Sequence, residues 1–405
     1  MQDEPIAPDS RTLDLSALSF FEGGPTYRLM QRIGVIKGAG PSVARRSIAA
    51  IAVTWLPLLL LSALHGEAIG PTPRTSFLWD FDSYARFFLA VPLIIAAESV
   101  VGPRLRNAAL RFINGGIVGP EDYPEFAAAA ERVRTRREAL LPELFIFAVV
   151  IFFARSLNVE QLAGLHEADW GTTVVNGIEH RTPAGLWYFY VALPLLQLFF
   201  IRLFWRLIIW TLFLWDVSRL HLNLLPTHTD MSAGLGFLGT AHVTTVIIPF
   251  AVGCALSAEL AFRAVFEGFD LVAAKTMIPV LVAYVLFVEV ATYSPLLLFV
   301  RPLTLAKHEA LRSYGILVQQ HNQMFHDKWI QGKKQPEEII LGNPDASSLV
   351  DLGSSFLVVR QMTVFPVSRA QFIQTALISC LPGLPLAFLV LPFDEVLKLI
   401  AGVLT

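Results

Sequence analysis

Seven apolar stretches of about 20 residues constrain this chain more than any other feature of its sequence. An α-helix rises 1.5 Å per residue, so a stretch of roughly 20 residues crosses about 30 Å of hydrocarbon. Only 16% of the 405 residues are charged, whereas soluble domains carry about 25%. The stretches cover residues 47–64, 84–102, 140–156, 185–206, 241–263, 276–300 and 370–392. The sequence therefore predicts an all-α polytopic transmembrane bundle of about seven spans.

The arginines are distributed unevenly between the segments that connect these stretches. Loops 65–83 and 157–183 each carry a single arginine, Arg74 and Arg181. The segment 103–139 instead carries Arg104, Arg106, Arg111, Arg132, Arg134, Arg136 and Arg137. Basic loops stay on the cytoplasmic side during insertion. We therefore expect residues 1–46, which contain no long apolar signal sequence, and segment 103–139 to be cytoplasmic.

The same alternation places segments 207–240 and 301–369 in the cytoplasm, where they would build a helical cytoplasmic layer. Pairs of apolar residues recur every seven positions from Ala310 to Phe325, which predicts a cytosolic helix of about 25 residues that docks on a partner surface. That surface belongs either to this chain or to a second copy in a homo-oligomer. Residues 370–405 are expected to form a proline-interrupted last span and an interfacial tail.

Charge and cysteine content exclude several classes of protein. The formal net charge is -2, so the chain has no basic excess with which to hold nucleic acid through its phosphates. Its two cysteines, Cys254 and Cys380, lie in apolar stretches and cannot form a cysteine-based zinc site. The sequence contains no Walker A or G-x-S-x-G motif. The expected partners are the lipid bilayer and an ion or small solute, and no cofactor is expected.

A polar loop at residues 226–239 precedes the fifth stretch. It contains a formal G-x-G-x-x-G, the pattern of a dinucleotide-binding loop. In such a site the loop is followed by a soluble helix, whereas here it is followed by a membrane span, so the pattern does not indicate nucleotide binding. We predict instead that Asp230 or Ser232 caps this helix. Small residues spaced four apart form a helix-packing stripe, which comprises Ser232, Gly236, Thr240 and Thr244. His228, Asp230 and His242 are weak candidates for metal ligands, with no supporting signature.

Ionisable residues inside apolar stretches are costly, so they indicate function. Four of them lie near the cytoplasmic ends of their spans: Glu98, Glu143, Arg202 and Arg206. The tryptophans around the two arginines favour an interfacial belt, and a charged inner vestibule that also uses the two glutamates is the alternative. Glu259 and Arg263 are spaced to pair with each other. Glu289 lies near the centre of span six, where we expect it to be protonated or paired.

Two motifs resemble those of a family of uncharacterised bacterial multi-pass inner-membrane proteins. The first is Leu-Pro-Thr-His-Thr-Asp at 225–230 with Gly-Leu-Gly-Phe-Leu-Gly at 234–239, and the second is Asp-Ala-Ser-Ser-Leu-Val-Asp-Leu-Gly at 345–353. The resemblance implies a bacterial inner membrane, where the orientation above makes the N-terminus cytoplasmic. It implies no activity, so no functional residue is transferred from the family.

Three functional hypotheses follow from the sequence. The favoured one is an ion channel or transporter that uses the buried ionisable residues, because carboxylates in the middle of a membrane commonly mark an ion or proton path. The first alternative is a non-catalytic sensor or scaffold that docks through its cytoplasmic helices. The second alternative is a membrane-bound enzyme that uses the His228/Asp230 loop.

Overall fold

The computed structural model describes residues 18–35, 43–156, 169–175, 178–266, 268–269, 277–335 and 337–390. Within these residues the protein is mostly helical. The strands that the structure describes form one short antiparallel hairpin of β1 (Thr172–Val175) and β2 (Ile178–Arg181). The predicted C-terminal tail lies outside the described residues. The helical content agrees with the all-α class that the sequence predicts.

Among the described residues, the first half of the chain contains five main helices. They are α1 (Pro25–Arg32), α2 (Val43–Leu64), α3 (Phe81–Asn114), α4 (Tyr123–Glu138) and α5 (Leu140–Ser156). Acidic residues at the start of the segment between Pro120 and Leu140 and basic residues at its end are typical of one helix, and the sequence predicts that this helix runs directly into the third apolar stretch. The structure differs, because Ala139 adopts an extended conformation with ψ 130° and separates the two helices.

Six further main helices follow in the part of the chain that the structure describes. They are α6 (Pro183–Val217), α7 (Gly236–Phe266), α8 (Met277–Tyr293), α9 (Val300–Phe325), α10 (Pro344–Gln361) and α11 (Arg369–Leu389). A 3-10 turn at Leu381–Gly383 interrupts α11 where the sequence predicts a proline kink. The predicted cytosolic helix is α9, and it packs against α10 as a helical hairpin.

Six helices of the described residues are long and apolar enough to cross a bilayer. They are α2, α3, α6, α7, α11 and the continuous helix from Pro279 to Ile330 that includes α8 and α9. The apolar part of α5, Leu140–Phe152, is shorter than a typical span. Several helices continue beyond the apolar stretches that identified them, since backbone hydrogen bonding does not stop at the membrane surface.

Helix α3 lies at the centre of the bundle and packs against α2, α6 and α7, while α6 also packs against α4 and α5. One apolar core connects these helices. Three residues that precede α1, Leu18, Phe20 and Phe21, are buried in that core. Phe20 contacts the rings of Trp210 and Phe213 edge-on. The N-terminal segment is thus an integral part of one end of the bundle.

Candidate functional site

The end of the bundle closed by the N-terminal segment contains a buried group of charges. The group, called here the Glu98 cluster, comprises Arg46, Glu98, Glu143, Arg202 and Arg206. The Glu98 carboxylate accepts from Nη2 of Arg202 at 2.6 Å and from Nη2 of Arg46 at 2.5 Å. One carboxylate on α3 therefore joins α2 to α6.

Arg206 and Glu143 extend this cluster towards the N-terminal segment. Nη2 of Arg206 lies 3.5 Å from Oε1 of Glu143 and donates to the carbonyl of Gly23 at 2.9 Å. Oε2 of Glu143 accepts from both the backbone N–H and the hydroxyl of Thr26, at 2.8 and 2.6 Å. Charge-assisted hydrogen bonds of this kind are the stronger ones in proteins. They fasten the segment that precedes and begins α1 across the end of the bundle.

Two consecutive glycines allow the chain to cover the cluster closely. Gly23 and Gly24 have φ of +113° and +95°, a region that L side chains rarely adopt. A Cβ on Gly24 would lie 2.6 Å from Nη2 of Arg206. Any larger residue at position 24 would therefore displace the arginine or lift the segment.

The sequence favours an interfacial belt for Arg202 and Arg206, and that interpretation is wrong for both side chains. Their exposed fractions are 2% and 0%, whereas belt residues keep their charged heads at the headgroup level. The structure instead groups them with Glu98 and Glu143, the same residues that the vestibule alternative names, but the group is buried and does not line an open vestibule. Nε and Nη1 of Arg202 and Nε of Arg206 have no hydrogen-bond partner among the described residues. The cluster therefore holds guanidinium donors in excess of its acceptors.

A second buried group of charges lies towards the other end of α3. It is called here the Glu259 cluster and comprises Asp82, Arg86, Glu259 and Arg263. Arg86 pairs with Asp82 at 2.6 Å, bonds to the Tyr188 hydroxyl and lies 3.5 Å from Glu259. Nε of Arg263 lies 2.7 Å from Glu259, which confirms the predicted pair. Twelve residues of α3 separate Arg86 from Glu98, or about 18 Å along the helix.

A crevice of about 620 Å³ lies between α3, α6 and α7. Arg86 and Glu259 line one end of it, and Ile94 and Ile201 belong to its apolar wall. Ile94 precedes Glu98 by one helical turn, so on α3 the lining ends just short of the Glu98 cluster. The crevice therefore occupies the interval between the two clusters.

Glu289 lies on α8, away from both clusters in sequence. Both of its carboxyl oxygens are buried, and neither has a hydrogen-bond partner among the described residues. One turn later, the Tyr293 hydroxyl bonds to the Thr375 hydroxyl at 2.8 Å and to the Gln371 carbonyl at 3.2 Å on α11. The other buried span carboxylates named above pair with arginine, so Glu289 differs from all of them.

The loop that carries His228 and Asp230 is organised around the aspartate. The Asp230 carboxylate accepts from the backbone N–H groups of Ser232, Gly234 and Gly236 at 2.8, 3.1 and 2.8 Å. Gly236 is the first residue of α7, but the N-cap residue is Leu235, which provides no side-chain cap. The prediction that Asp230 or Ser232 is the cap of this helix is therefore wrong, and Asp230 instead holds the loop before it. Burial acts to raise the pKa of Asp230, but these three N–H groups and the neighbouring His228 outweigh it and lower that pKa below its usual value. The ionised carboxylate therefore stabilises the loop through these hydrogen bonds.

The third weak metal candidate, His242, is engaged elsewhere. Its Nε2 accepts from the Trp210 indole at 3.1 Å and its Nδ1 lies 2.8 Å from the Leu238 carbonyl. His228 contacts Asp230 at 2.9 Å. Among the residues that the structure describes, no three histidine, cysteine or acidic side chains are gathered to hold a metal ion.

The predicted stripe of small residues has several different contacts. A Cβ on Gly236 would meet the side chain of Asp230, which belongs to the same loop. Ser232 bonds to the Thr363 hydroxyl, and the Thr244 hydroxyl returns to its own helix. Thr240 accepts from the Gln371 side chain of α11.

Gly239 packs closely against the beginning of α11 and the residues before it. A Cβ at this position would lie 2.5 Å from Oε1 of Gln371 and 2.6 Å from the Pro366 carbonyl. Its place in the formal G-x-G-x-x-G is the sequence signal that could have identified it. Arg46 and Thr26 carry no such signal, because their partners lie on distant helices.

A scan against protein-family models finds no match for the chain, and searches of curated proteins and of solved structures find no significant similarity.

Proposed function

We propose that the protein is an ion transporter or channel in which Glu289 is the carboxyl that exchanges a proton or cation. The observation that carries this proposal is the isolation of Glu289: both of its oxygens are buried without a partner among the described residues. An unpaired carboxylate is costly in hydrocarbon, so such a group rests in its neutral form. It releases its proton or binds a cation when water reaches it, which is the behaviour of carboxyls along ion paths.

The two charge clusters support the same proposal. They lie about 18 Å apart along α3, and each contains ion pairs that connect residues on different helices. Pairs such as Arg202 with Glu98 and Arg86 with Glu259 must break or exchange partners if α3 moves relative to α6 or α7. Interfaces of this type have discrete arrangements and so can act as gates. Under this proposal the clusters hold the bundle closed at its two ends.

The proposal includes seven spans, with α5 as the short one, and a cytoplasmic N-terminus in a bacterial inner membrane. The burial of Glu143 beside Arg206 supports a position for α5 against the bundle. The arginine-rich segment 103–139 supports the orientation. Local thinning of the bilayer accommodates a helix of 17 residues.

Flux through purified protein in liposomes tests the proposal. An entrapped pH-sensitive dye would report proton movement under an imposed pH gradient, and a potential-sensitive dye would report movement of Na⁺, K⁺ or Cl⁻. We expect flux above that of empty liposomes in the wild type and loss of that flux in Glu289→Gln. Glutamine keeps the size and neutrality of the protonated acid but cannot exchange a proton.

The matched control is Glu131→Gln, the same substitution at an exposed position of α4 paired only loosely with Arg134 at 3.6 Å. This variant should retain wild-type flux. Absence of flux for all four ions in folded wild-type protein would overturn the proposal. So would a Glu289→Gln variant whose flux equals that of the wild type between about pH 5 and pH 8.

A docking scaffold is the second candidate, and the surface of the α9–α10 hairpin favours it. Leu317 and Met324 lie one heptad apart on α9, and their exposed fractions are 50% and 65%. Exposed apolar residues at this spacing are typical of a helix that meets another helix. Replacing both by lysine should lower the oligomeric mass of the detergent-solubilised protein if they form a contact between copies.

A further inference from the structure

We propose that the crevice between α3, α6 and α7 binds a linear acyl chain, the apolar part of a free fatty acid or of a membrane lipid. The proposal concerns a binding site for an amphiphile and does not depend on ion transport.

The lining chemistry excludes a hydrated ion as the resident of the crevice. Apart from Arg86 and Glu259 at one end and Gln197 on α6, the wall consists of apolar side chains. A hydrated ion would lose its water shell there without receiving replacement ligands. An alkyl chain instead gains favourable contacts with every wall. The volume of about 620 Å³ lies within the range of about 300–1,000 Å³ usual for small-molecule pockets.

The length of the crevice matches one leaflet of a bilayer. On α7 its lining extends from Ala251 to Glu259, and on α3 from Arg86 to Ile94. Each of these intervals covers nine residues, which rise about 12 Å from the first to the last. Half of the hydrocarbon thickness is about 15 Å. A chain with its polar head beside Arg86 and Glu259 would therefore reach close to the middle of the membrane.

Small side chains create the space, and a lateral opening provides access. Ala90, Ala251 and Ala255 line the crevice where larger residues would fill it. At its rim, Leu256 is 44% exposed, and exposure on a transmembrane helix means contact with lipid. An acyl chain can therefore enter directly from the bilayer. The polar end is electrically balanced, since Asp82 and Glu259 offset Arg86 and Arg263.

Photo-crosslinking in liposomes tests this assignment in the intact protein. Two probes carry the same sixteen-carbon chain with a terminal diazirine, one as free palmitate and one esterified in phosphatidylcholine. After irradiation, peptide mapping locates the labelled residues. We expect label from at least one probe on crevice residues such as Gln197 and Val252. Label from palmitate alone would identify a fatty-acid site, and label from the phospholipid alone a lipid site.

The test variant is Ala255→Phe, which fills the crevice with a ring, and its control is Ala52→Phe on an exposed position of α2. The ring should exclude about two methylenes of the acyl chain from the crevice, which lowers the occupancy of the crevice about tenfold. Crevice labelling should therefore fall about tenfold in Ala255→Phe and remain at the wild-type level in Ala52→Phe. Labelling of the exposed Leu286 on α8 should not change in either. Equal labelling around the whole lipid-facing surface, or crevice labelling that survives Ala255→Phe in folded protein, would refute the site.

Discussion

Removal of the charge on Glu98 should cost far more stability than removal of a comparable charge at the surface. Glu98 is the shared acceptor of Arg46 and Arg202, at 2.5 and 2.6 Å, and all three side chains are buried. Glu98→Gln keeps the shape of the side chain but leaves both guanidinium groups without their counter-charge. Breaking a buried ion pair costs about 3–5 kcal/mol, and we expect a loss of unfolding free energy in that range.

Asp216→Asn supplies the matched control. Asp216 is also a carboxylate shared by two arginines, Arg132 at 3.1 Å and Arg136 at 3.5 Å, but these arginines are partly exposed. Water screens such pairs, and their measured contribution is about 0–1 kcal/mol. The same carboxylate-to-amide change in a similar pairing geometry therefore separates burial from pairing.

The assay is reversible unfolding in mixed micelles with increasing sodium dodecyl sulfate, followed by tryptophan fluorescence and circular dichroism. Linear extrapolation gives the free energy of unfolding of each variant. Adding Arg202→Met to Glu98→Gln should restore part of the lost free energy of unfolding, because it removes one of the two uncompensated charges. The coupling energy between residues in direct contact is about 0.5–3 kcal/mol. If Glu98→Gln and Asp216→Asn differ by less than about 1 kcal/mol, the cluster contributes no special stability and the reasoning fails.

Three further predictions concern other parts of the molecule. Asp230→Asn should lower the free energy of unfolding by about 1–3 kcal/mol at neutral pH, because an amide cannot accept all three backbone N–H groups. The pKa of Asp230 is lowered in the folded state, so its stabilisation is present above the unfolded pKa and disappears as the pH falls through the folded pKa. Urea titrations of the wild type and the variant should therefore give converging free energies of unfolding below about pH 4. Gly239→Val should lower the free energy of unfolding by about 1–3 kcal/mol, because the larger side chain forces α11 away from α7. The control is Gly353→Ala, where a Cβ meets nothing within 4 Å. In the sodium dodecyl sulfate unfolding assay this control should be neutral or stabilising by up to about 1 kcal/mol. In a variant that lacks both native cysteines, a cysteine at Thr135 should resist a membrane-impermeant thiol reagent in intact cells and one at Thr173 should react; the reverse pattern would invert the proposed orientation.

The sequence predicts the long helices well because the membrane imposes a simple physical requirement. Only helices and closed barrels satisfy all backbone groups in hydrocarbon, so an apolar stretch of sufficient length predicts a helix directly. Hydropathy does not mark where a helix stops. Helix α3 continues beyond residue 102 to Asn114, and α6 beyond residue 206 to Val217, because the polar ends of these helices pack against neighbours.

The pairing of charges was predictable only where it is local. Glu259 and Arg263 are one turn apart on a single helix, so spacing alone indicates their contact. Glu98 and Arg202 are separated by 104 positions, and their pairing depends on how α3 and α6 are rotated against each other. Tryptophans near Arg202 and Arg206 made an interfacial position plausible, but Trp210 itself is buried and bonded to His242. Composition cannot distinguish a tryptophan at the membrane surface from one inside a bundle.

The N-terminal segment shows why the candidate site could not be completed from the sequence. Phe20 and Phe21 are isolated from any apolar stretch, and Gly23 with Gly24 resembles an ordinary flexible connection. In the fold, the two aromatic rings anchor the segment in the core, and the glycines let its backbone approach Arg206. The Gly23 carbonyl accepts from Arg206, and Thr26 donates twice to Glu143, so the segment supplies hydrogen-bond partners to the cluster from outside the spans. Buried polar networks of this kind depend on all of their members. The position of the residues before α1 is therefore coupled to the ion pairs beneath them.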